Sequence, residues 1–303
     1  MFIKPLGESD ELKLWRSLHY RMDLSAKDSS YYWTLEKGYV GEGMFHEWLL
    51  GLPDPCLILH DILLEVNNSL FQIDFIVITG RTIYLFEVKN YEGDYIIESD
   101  RWYSLPSKTE VKNPIHQILR SEPLFRRFLQ NLGYNVSVES YVAFVNPHFT
   151  LYQAPLLKTL IFPNQLSNFF NQLNRQINSS RLNDKHEKLG QQILAAHKHV
   201  SPFSRLPEYS YEQVKKGIIC AKCGGFIEVF KGKSIICKCG FVEHFESAIL
   251  RSVEEFQRLF PERKVTTSRI LEWCVNVKDI RTIRRVLLKK YKLIEKGRSS
   301  YFN

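Results

Sequence analysis

No apolar run in the 303 residues approaches the roughly twenty that a membrane-crossing helix needs, which excludes a helical span. The N-terminus, Met1-Phe2-Ile3-Lys4-Pro5-Leu6-Gly7-Glu8, breaks up too soon for a secretory signal, so the expected compartment is the cytoplasm. Cysteine is scarce outside one cluster: of six, only Cys56 and Cys274 stand alone, while Cys220, Cys223, Cys237 and Cys239 fall close together. Without an export signal this pattern reads as metal ligation rather than a disulfide framework. Acidic residues run short at one end. From Arg251 onward there are six acids against fourteen Lys and Arg, a surplus equal to the net charge of the whole chain, +8. A polyanionic partner is therefore expected at the C-terminal end. What remains is ordinary for a folded protein: 44% hydrophobic residues, and length enough for two or three domains.

The most informative stretch is Gln72 to Lys89. Two apolar runs rich in β-branched and aromatic residues flank Gly80-Arg81, and Gly at the first central position predicts a type II′ hairpin turn. With Thr79 facing Thr82, the register sets Asp74 opposite Glu87. Facing carboxylates repel and raise one another's pKa unless a cation or a proton lies between them. Alternation places Lys89 on the same side as Glu87, with Phe86 and Val88 on the other.

An Asp followed by Glu-x-Lys on the next strand resembles the PD-(D/E)xK nuclease superfamily. Gly38-x-x-Gly41-Glu42, Leu59-His60-Asp61, Gln72-Ile73-Asp74, Glu87-Val88-Lys89-Asn90-Tyr91-x-Gly93 and Asn113-Pro114-x-x-Gln117 resemble, in order and spacing, the nuclease-related (NERD) domain. The likeness covers residues 37 to about 150. Phe75 stands where many members of that family carry His; alternation turns it away from Asp74, so a packing change is expected there. The resemblance implies a restriction-endonuclease-like α/β/α core with a mixed sheet. It also implies a Mg²⁺ or Mn²⁺ site built from Glu42, Asp74, Glu87 and the Val88 carbonyl. Lys89 would orient or deprotonate the attacking water, and Gln117 would abut the site. From the residues alone, Glu42 also reads as an acid favourable to a helix start, and Gln117 as a surface amide.

Taken in order, residues 1–36 read as a helical arm packed on the nuclease core, 37–163 as the nuclease-like domain and 164–215 as a helical linker. Residues 216–247 read as a zinc-ribbon-like module and 248–303 as a basic winged helix-turn-helix-like domain. Within the second of these, Gly38 to Leu50 predicts a helix, Cys56 to Glu65 a strand ending at the turn residue Asp61, and Val138 to Val145 and Leu157 to Phe162 later strands. Asn113-Pro114 predicts a helix start, with Asn as cap and Pro at the first position.

Cys220-Ala-Lys-Cys223 and Cys237-Lys-Cys239 are two thiolate turns suited to a structural tetrahedral zinc. The second turn is one residue short, which leaves His244 as a conceivable substitute ligand. Beyond it, Thr266 predicts a helix through Cys274. A second helix is expected through Lys290 with Ile280, Ile283, Val286, Leu287 and Tyr291 as its apolar stripe, then a small wing near Arg298. Arg281, Arg284, Arg285, Lys289, Lys290 and Arg298 would meet nucleic-acid phosphates. Three functions fit: a metal-dependent nuclease acting on nucleic acid, DNA foremost; a nucleic-acid-binding protein with a silent nuclease fold; and a zinc-stapled scaffold for a protein partner.

Overall fold

The structure is a computed structural model that describes residues 1–198, 205–295 and 300–303. The chain divides into two compact units, Met1–Glu8 with Thr34–Ser204, and Ser9–Trp33 with Arg205–Asn303. Its elements begin with strand β1 (Phe2–Lys4) and helices α1 (Asp10–Arg21) and α2 (Ala26–Leu50), followed by β2 (Leu57–Val66), β3 (Ser69–Ile78) and β4 (Thr82–Lys89). Next come β5 (Gly93–Glu98), β6 (Arg101–Ser104), β7 (Thr109–Val111) and α3 (Pro114–Asn131). The first unit closes with β8 (Ser137–Phe144), β9 (Phe149–Tyr152), β10 (Leu160–Ile161), α4 (Leu166–Asn178) and α5 (Asp184–Ala196). Among the described residues no helix is long and apolar enough to cross a membrane.

The main sheet of the first unit has the order β1-β2-β3-β4-β8-β10, with β5, β6, β7 and β9 in a second sheet. It is mixed: β2, β3 and β4 pair antiparallel, whereas β4, β8 and β10 run parallel. Alternation distributes its side chains to two cores. Ile76, Ile83, Leu85 and Val142 pack with Ile118 and Phe125 of α3 and Leu189 and Ile193 of α5. On the other face Phe75, Val77, Phe86 and Val88 pack with Phe45 and Leu49 of α2 and Phe170 and Leu173 of α4. Each large side chain removed from water in this way contributes about 1.5–3 kcal/mol. Strands covered on both faces are apolar almost throughout, and the result is the expected α/β/α arrangement.

The hairpin register follows the count made from the turn: Ile78 pairs with Ile83 and Phe75 with Phe86. The turn itself does not follow the type II′ expectation, because Gly80 does not have the positive φ that such a turn requires. Thr79 closes the turn instead, its N–H donating to the Thr82 carbonyl at 3.1 Å and its Oγ1 to the same oxygen at 2.7 Å. Glycine is needed at residue 80 for a different reason. A Cβ there would lie 2.4 Å from the carbonyl oxygen of Arg181.

Three further expectations are corrected. Asp61 lies in the middle of β2, with φ of 50°, and not at a strand end. The strand expected over Leu157 to Phe162 is reduced to Leu160–Ile161. The N-terminal arm is divided: Phe2–Lys4 forms β1 of the main sheet, whereas Leu14 and Leu18 of α1 pack in the core of the second unit.

That second unit contains a three-stranded sheet, β11 (Val229–Lys231), β12 (Ser234–Ile236) and β13 (Val242–His244), then α6 (Phe245–Leu259), α7 (Thr267–Cys274) and α8 (Ile280–Lys290). A short antiparallel pair, β14 (Leu293–Ile294) and β15 (Tyr301–Phe302), completes it. Thr266 caps α7 by accepting from the Arg269 N–H at 3.3 Å, and Asp279 caps α8 by accepting from the Arg281 N–H at 3.0 Å. The buried stripe of α8 is Ile283, Val286 and Leu287; Ile280, expected to share it, is exposed because it sits in the first turn.

Candidate active site and metal centres

The site begins where the β3–β4 ladder stops. Thr79 and Thr82 form a hydrogen-bonded pair, and such pairs recur at every second position of an antiparallel ladder, so the Val88 N–H is directed at β3. It donates to Asp74 Oδ2 at 2.7 Å, a side chain taking the place of a backbone acceptor. The N–H and C=O of one strand residue share a side, so the Val88 carbonyl also faces this gap.

Both strands change phase at this level. On β3, Ile73 and Ile76 belong to the same core although three residues apart, and Phe75 belongs to the opposite one. On β2, Leu59 and Ile62 do likewise, with Asp61 held in the left-handed region between them. A strict period of two cannot produce this, and Asp is among the residues that tolerate the left-handed conformation. Asp61 Oδ1 accepts from Gln72 Nε2 at 2.7 Å, and Lys4 Nζ lies 3.7 Å from Asp61 Oδ2.

The electrostatics are those of crowded acids. Asp74 is pushed well above the usual carboxylate range, first by burial and then by the Glu87 and Glu42 charges; Lys89 and the Val88 N–H oppose the shift without cancelling it. Lys89 Nζ donates to Glu87 Oε1 at 2.6 Å. Burial works against the Lys89 charge, but Glu87 and Asp74 outweigh it and hold the ammonium above its ordinary range. A general base must first be unprotonated, so without a bound cation this raised pKa favours orienting the attacking water over deprotonating it. Orientation and charge remain open to it.

Glu42 is joined to His60, Oε2 to Nε2, at 2.7 Å. Each carboxylate thus has its own donor: Val88 N–H, Lys89 and His60. They do not converge on one point, for among the described residues only the cysteine group brings three or more potential ligand atoms within 4.8 Å of one another. The donor set consists of hard oxygens, and the high pKa of Asp74 reflects burial together with the Glu87 and Glu42 charges, which a cation would relieve, so these residues fit a hard divalent ion.

Gly41 explains how Glu42 reaches this place. A Cβ on Gly41 would meet the Asn90 Cβ at 2.5 Å, so glycine lets α2 pass against the residue just beyond Lys89. Asn90 then ties the surrounding elements together: its Nδ2 donates to the Lys37 carbonyl at 2.9 Å, and its Oδ1 accepts from Asn146 Nδ2 at 3.0 Å. His60 and Asn90 stood inside the quoted motifs without an assigned role; nothing in the sequence singled out Asn146. Gln117 is half-buried near the start of α3, where Asn113 caps the helix by accepting from the Ile115 N–H at 2.9 Å. Among the described residues no hydrogen bond joins Gln117 to the acids.

In the second unit, Cys220, Cys223, Cys237 and Cys239 bring their sulfurs within 4.8 Å of one another. Cys220 and Cys239 lie 3.8 Å apart, Cys223 and Cys237 3.5 Å. The shortened second turn closes through Gly240, whose φ is 84° and whose N–H donates to the Cys237 carbonyl at 2.9 Å. His244 is not one of the group; it pairs with Ser234 in the sheet. The Phe241 backbone draws the Cys239 thiol down to about 7. At Cys237 the Cys239 backbone favours the thiolate, but desolvation and the neighbouring thiols outweigh it and push the group up to about 12. Four sulfurs so placed fit a zinc-ribbon-like module and could hold a zinc ion.

On α8, Arg281, Arg284 and Arg285 are exposed. Lys289 is paired with Glu246 at 2.5 Å and Lys290 with Glu254, both on α6. Arg298 lies outside the described residues.

Residues 37–145 match the family model of the nuclease-related domain (NERD), so the chain carries a nuclease-related domain over that stretch. No curated protein and no solved structure matches the chain.

Proposed function

We propose that this chain is a metal-dependent nuclease that hydrolyses phosphodiester bonds, with DNA as its substrate. The observation that carries the reading is the half-buried Asp74 carboxylate crowded by Glu87 and Glu42, with Lys89 two residues beyond Glu87 on the same strand. Glu42, Asp74, Glu87 and the Val88 carbonyl would hold Mg²⁺ or Mn²⁺. A bound ion of that kind would neutralise phosphate charge and lower the pKa of a bound water. Lys89, kept protonated by its neighbours, would orient the attacking water and offset charge building on the phosphate oxygens. Gln117 would touch the substrate backbone from α3.

The zinc would be structural, because four cysteine ligands leave no open position. The α7–α8–β14–β15 order supports a winged helix-turn-helix reading, with Arg281, Arg284 and Arg285 on phosphates. Lys289 and Lys290 would exchange exposed pairs with Glu246 and Glu254 for phosphate contacts, and exposed pairs contribute little to stability.

A second reading is a nucleic-acid-binding protein with little cleavage activity. It is favoured by one observation: each of the three carboxylates already has its own donor.

The deciding experiment is cleavage of circular and linear duplex and single-stranded DNA, and of RNA, in Mg²⁺, Mn²⁺ or EDTA. Wild type is compared with Asp74→Ala, Lys89→Ala and the Arg284→Glu, Arg285→Glu double variant. Metal-dependent cutting lost in the first two, with weaker and less salt-dependent binding in the third, supports the nuclease. Equal binding by all proteins except the third, with no cutting by any, supports the second reading.

A further inference from the structure

His60 is 2% exposed and lies on β2 with its ring centroid 4.8 Å from that of Phe75 on the neighbouring strand. Its Nε2 is 2.7 Å from Glu42 Oε2. In such a pair the ring N–H donates and the carboxylate oxygen accepts. The ring is held from the strand side and not by Glu42. Asp61, in its left-handed conformation and bonded to Gln72, sets the phase of β2, and the pairing of His60 with Phe75 fixes the ring's neighbour.

Glu42 is different. It reaches from a helix on a long, rotatable side chain that keeps 27% of its surface in solvent. Left alone it would sample several rotamers, a poor arrangement for a ligand. A rigid buried donor on one carboxylate oxygen removes that freedom and leaves the other oxygen available.

We propose that His60 is a positioning residue of the metal site: it fixes Oε2 of Glu42 so that the second oxygen joins Asp74 and Glu87 around a divalent cation. The inference rests on the metal-dependent reading above. Donors behind a metal-binding carboxylate orient it and sharpen its affinity, and their loss commonly weakens metal binding 10–100-fold.

The test is Mn²⁺ binding to the full-length, zinc-loaded protein, followed by electron paramagnetic resonance, with a thermal melt of each protein as a folding control. His60→Phe fills the volume without a donor and is expected to weaken Mn²⁺ binding about 10–100-fold. His60→Gln keeps an N–H for Glu42 and is expected to stay within a few-fold of wild type. Adding His60→Phe to Glu42→Gln should produce no further loss, since the two act through one ligand. If His60→Phe does not fold, His60→Ala is read in its place.

Wild-type affinity in His60→Phe overturns the proposal, as does a loss in His60→Gln equal to that in His60→Phe. Wild-type protein that binds no Mn²⁺ overturns the metal reading and this inference with it. Wild-type protein that binds Mn²⁺ together with unaffected His60 variants overturns this inference alone.

Discussion

Arg21 and Glu255 form a buried fork-to-fork ion pair, Nε to Oε1 at 2.9 Å and Nη2 to Oε2 at 2.6 Å. The remaining guanidinium donors reach the carbonyls of Lys215 and Gly217 at 2.7 and 3.0 Å, and the group lies 4.1 Å over the Trp273 ring. All three guanidinium nitrogens donate, and the pair ties α1 to α6 and α7 across most of the chain. Breaking one side of such a pair strands the other charge and costs about 3–5 kcal/mol. Arg21→Ala should therefore unfold the second unit at markedly lower urea concentration. Hydrogen exchange should show α1 and α6 losing protection together, while the β2–β4 strands retain theirs.

Asp74 yields a pH prediction. Its folded pKa lies above the unfolded value because of burial and the neighbouring acids, so the folded protein binds the proton more tightly. The contribution is present in full below the ordinary carboxylate range, near pH 4, and is lost as pH rises through the elevated folded value. Metal-free protein should accordingly melt at higher temperature when pH is lowered from 7 toward 5. Asp74→Asn should flatten that part of the profile, stabilise the metal-free protein at pH 7 and abolish the gain in melting temperature produced by Mn²⁺.

The glycines of α2 separate packing from propensity. Gly41→Ala drives a methyl into Asn90, at 2.5 Å from its Cβ, and should cost about 1–3 kcal/mol while displacing Glu42. Gly38→Ala and Gly43→Ala meet nothing within 4 Å. They remove helix-interior glycines, so each should stabilise by about 0.5–1 kcal/mol. Chemical denaturation of the three variants checks the sign in each case.

Cysteine reactivity should divide four to two. Cys56 and Cys274 are buried, and burial pushes the Cys274 thiol up to about 12, so their thiolates are scarce at pH 8. Cys220, Cys223, Cys237 and Cys239 should be protected while zinc is bound and should react after chelation. Thiol titration at pH 8 with and without a chelator, beside zinc analysis by mass spectrometry, gives the count. Cys239→Ser should lower the zinc content even though its turn is the shorter one.

Local rules carried much of this architecture. Alternation and turn position set the β3–β4 register and put Glu87 and Lys89 on one side, because strand periodicity is a property of neighbours in the chain. Caps at Asn113 and Thr266 were legible for the same reason, as were the paired cysteines. The turn at Gly80 was read correctly in place and wrongly in type: the constraint on it is the Arg181 backbone, a hundred residues on.

What only the tertiary structure decided lies where distant segments meet. The phase change at Asp61 and Asp74 breaks the period on which sequence reading depends. The His60–Glu42 bond and the Arg21–Glu255 pair join residues 18 and 234 positions apart. The pairing of Lys289 and Lys290 with α6 acids depends on how helices pack, not on their charge pattern. Amino-acid order determines which groups are available and which face of a local element they occupy. Which of them come within hydrogen-bonding distance is set by closing long loops around shared cores, and no local periodicity encodes that.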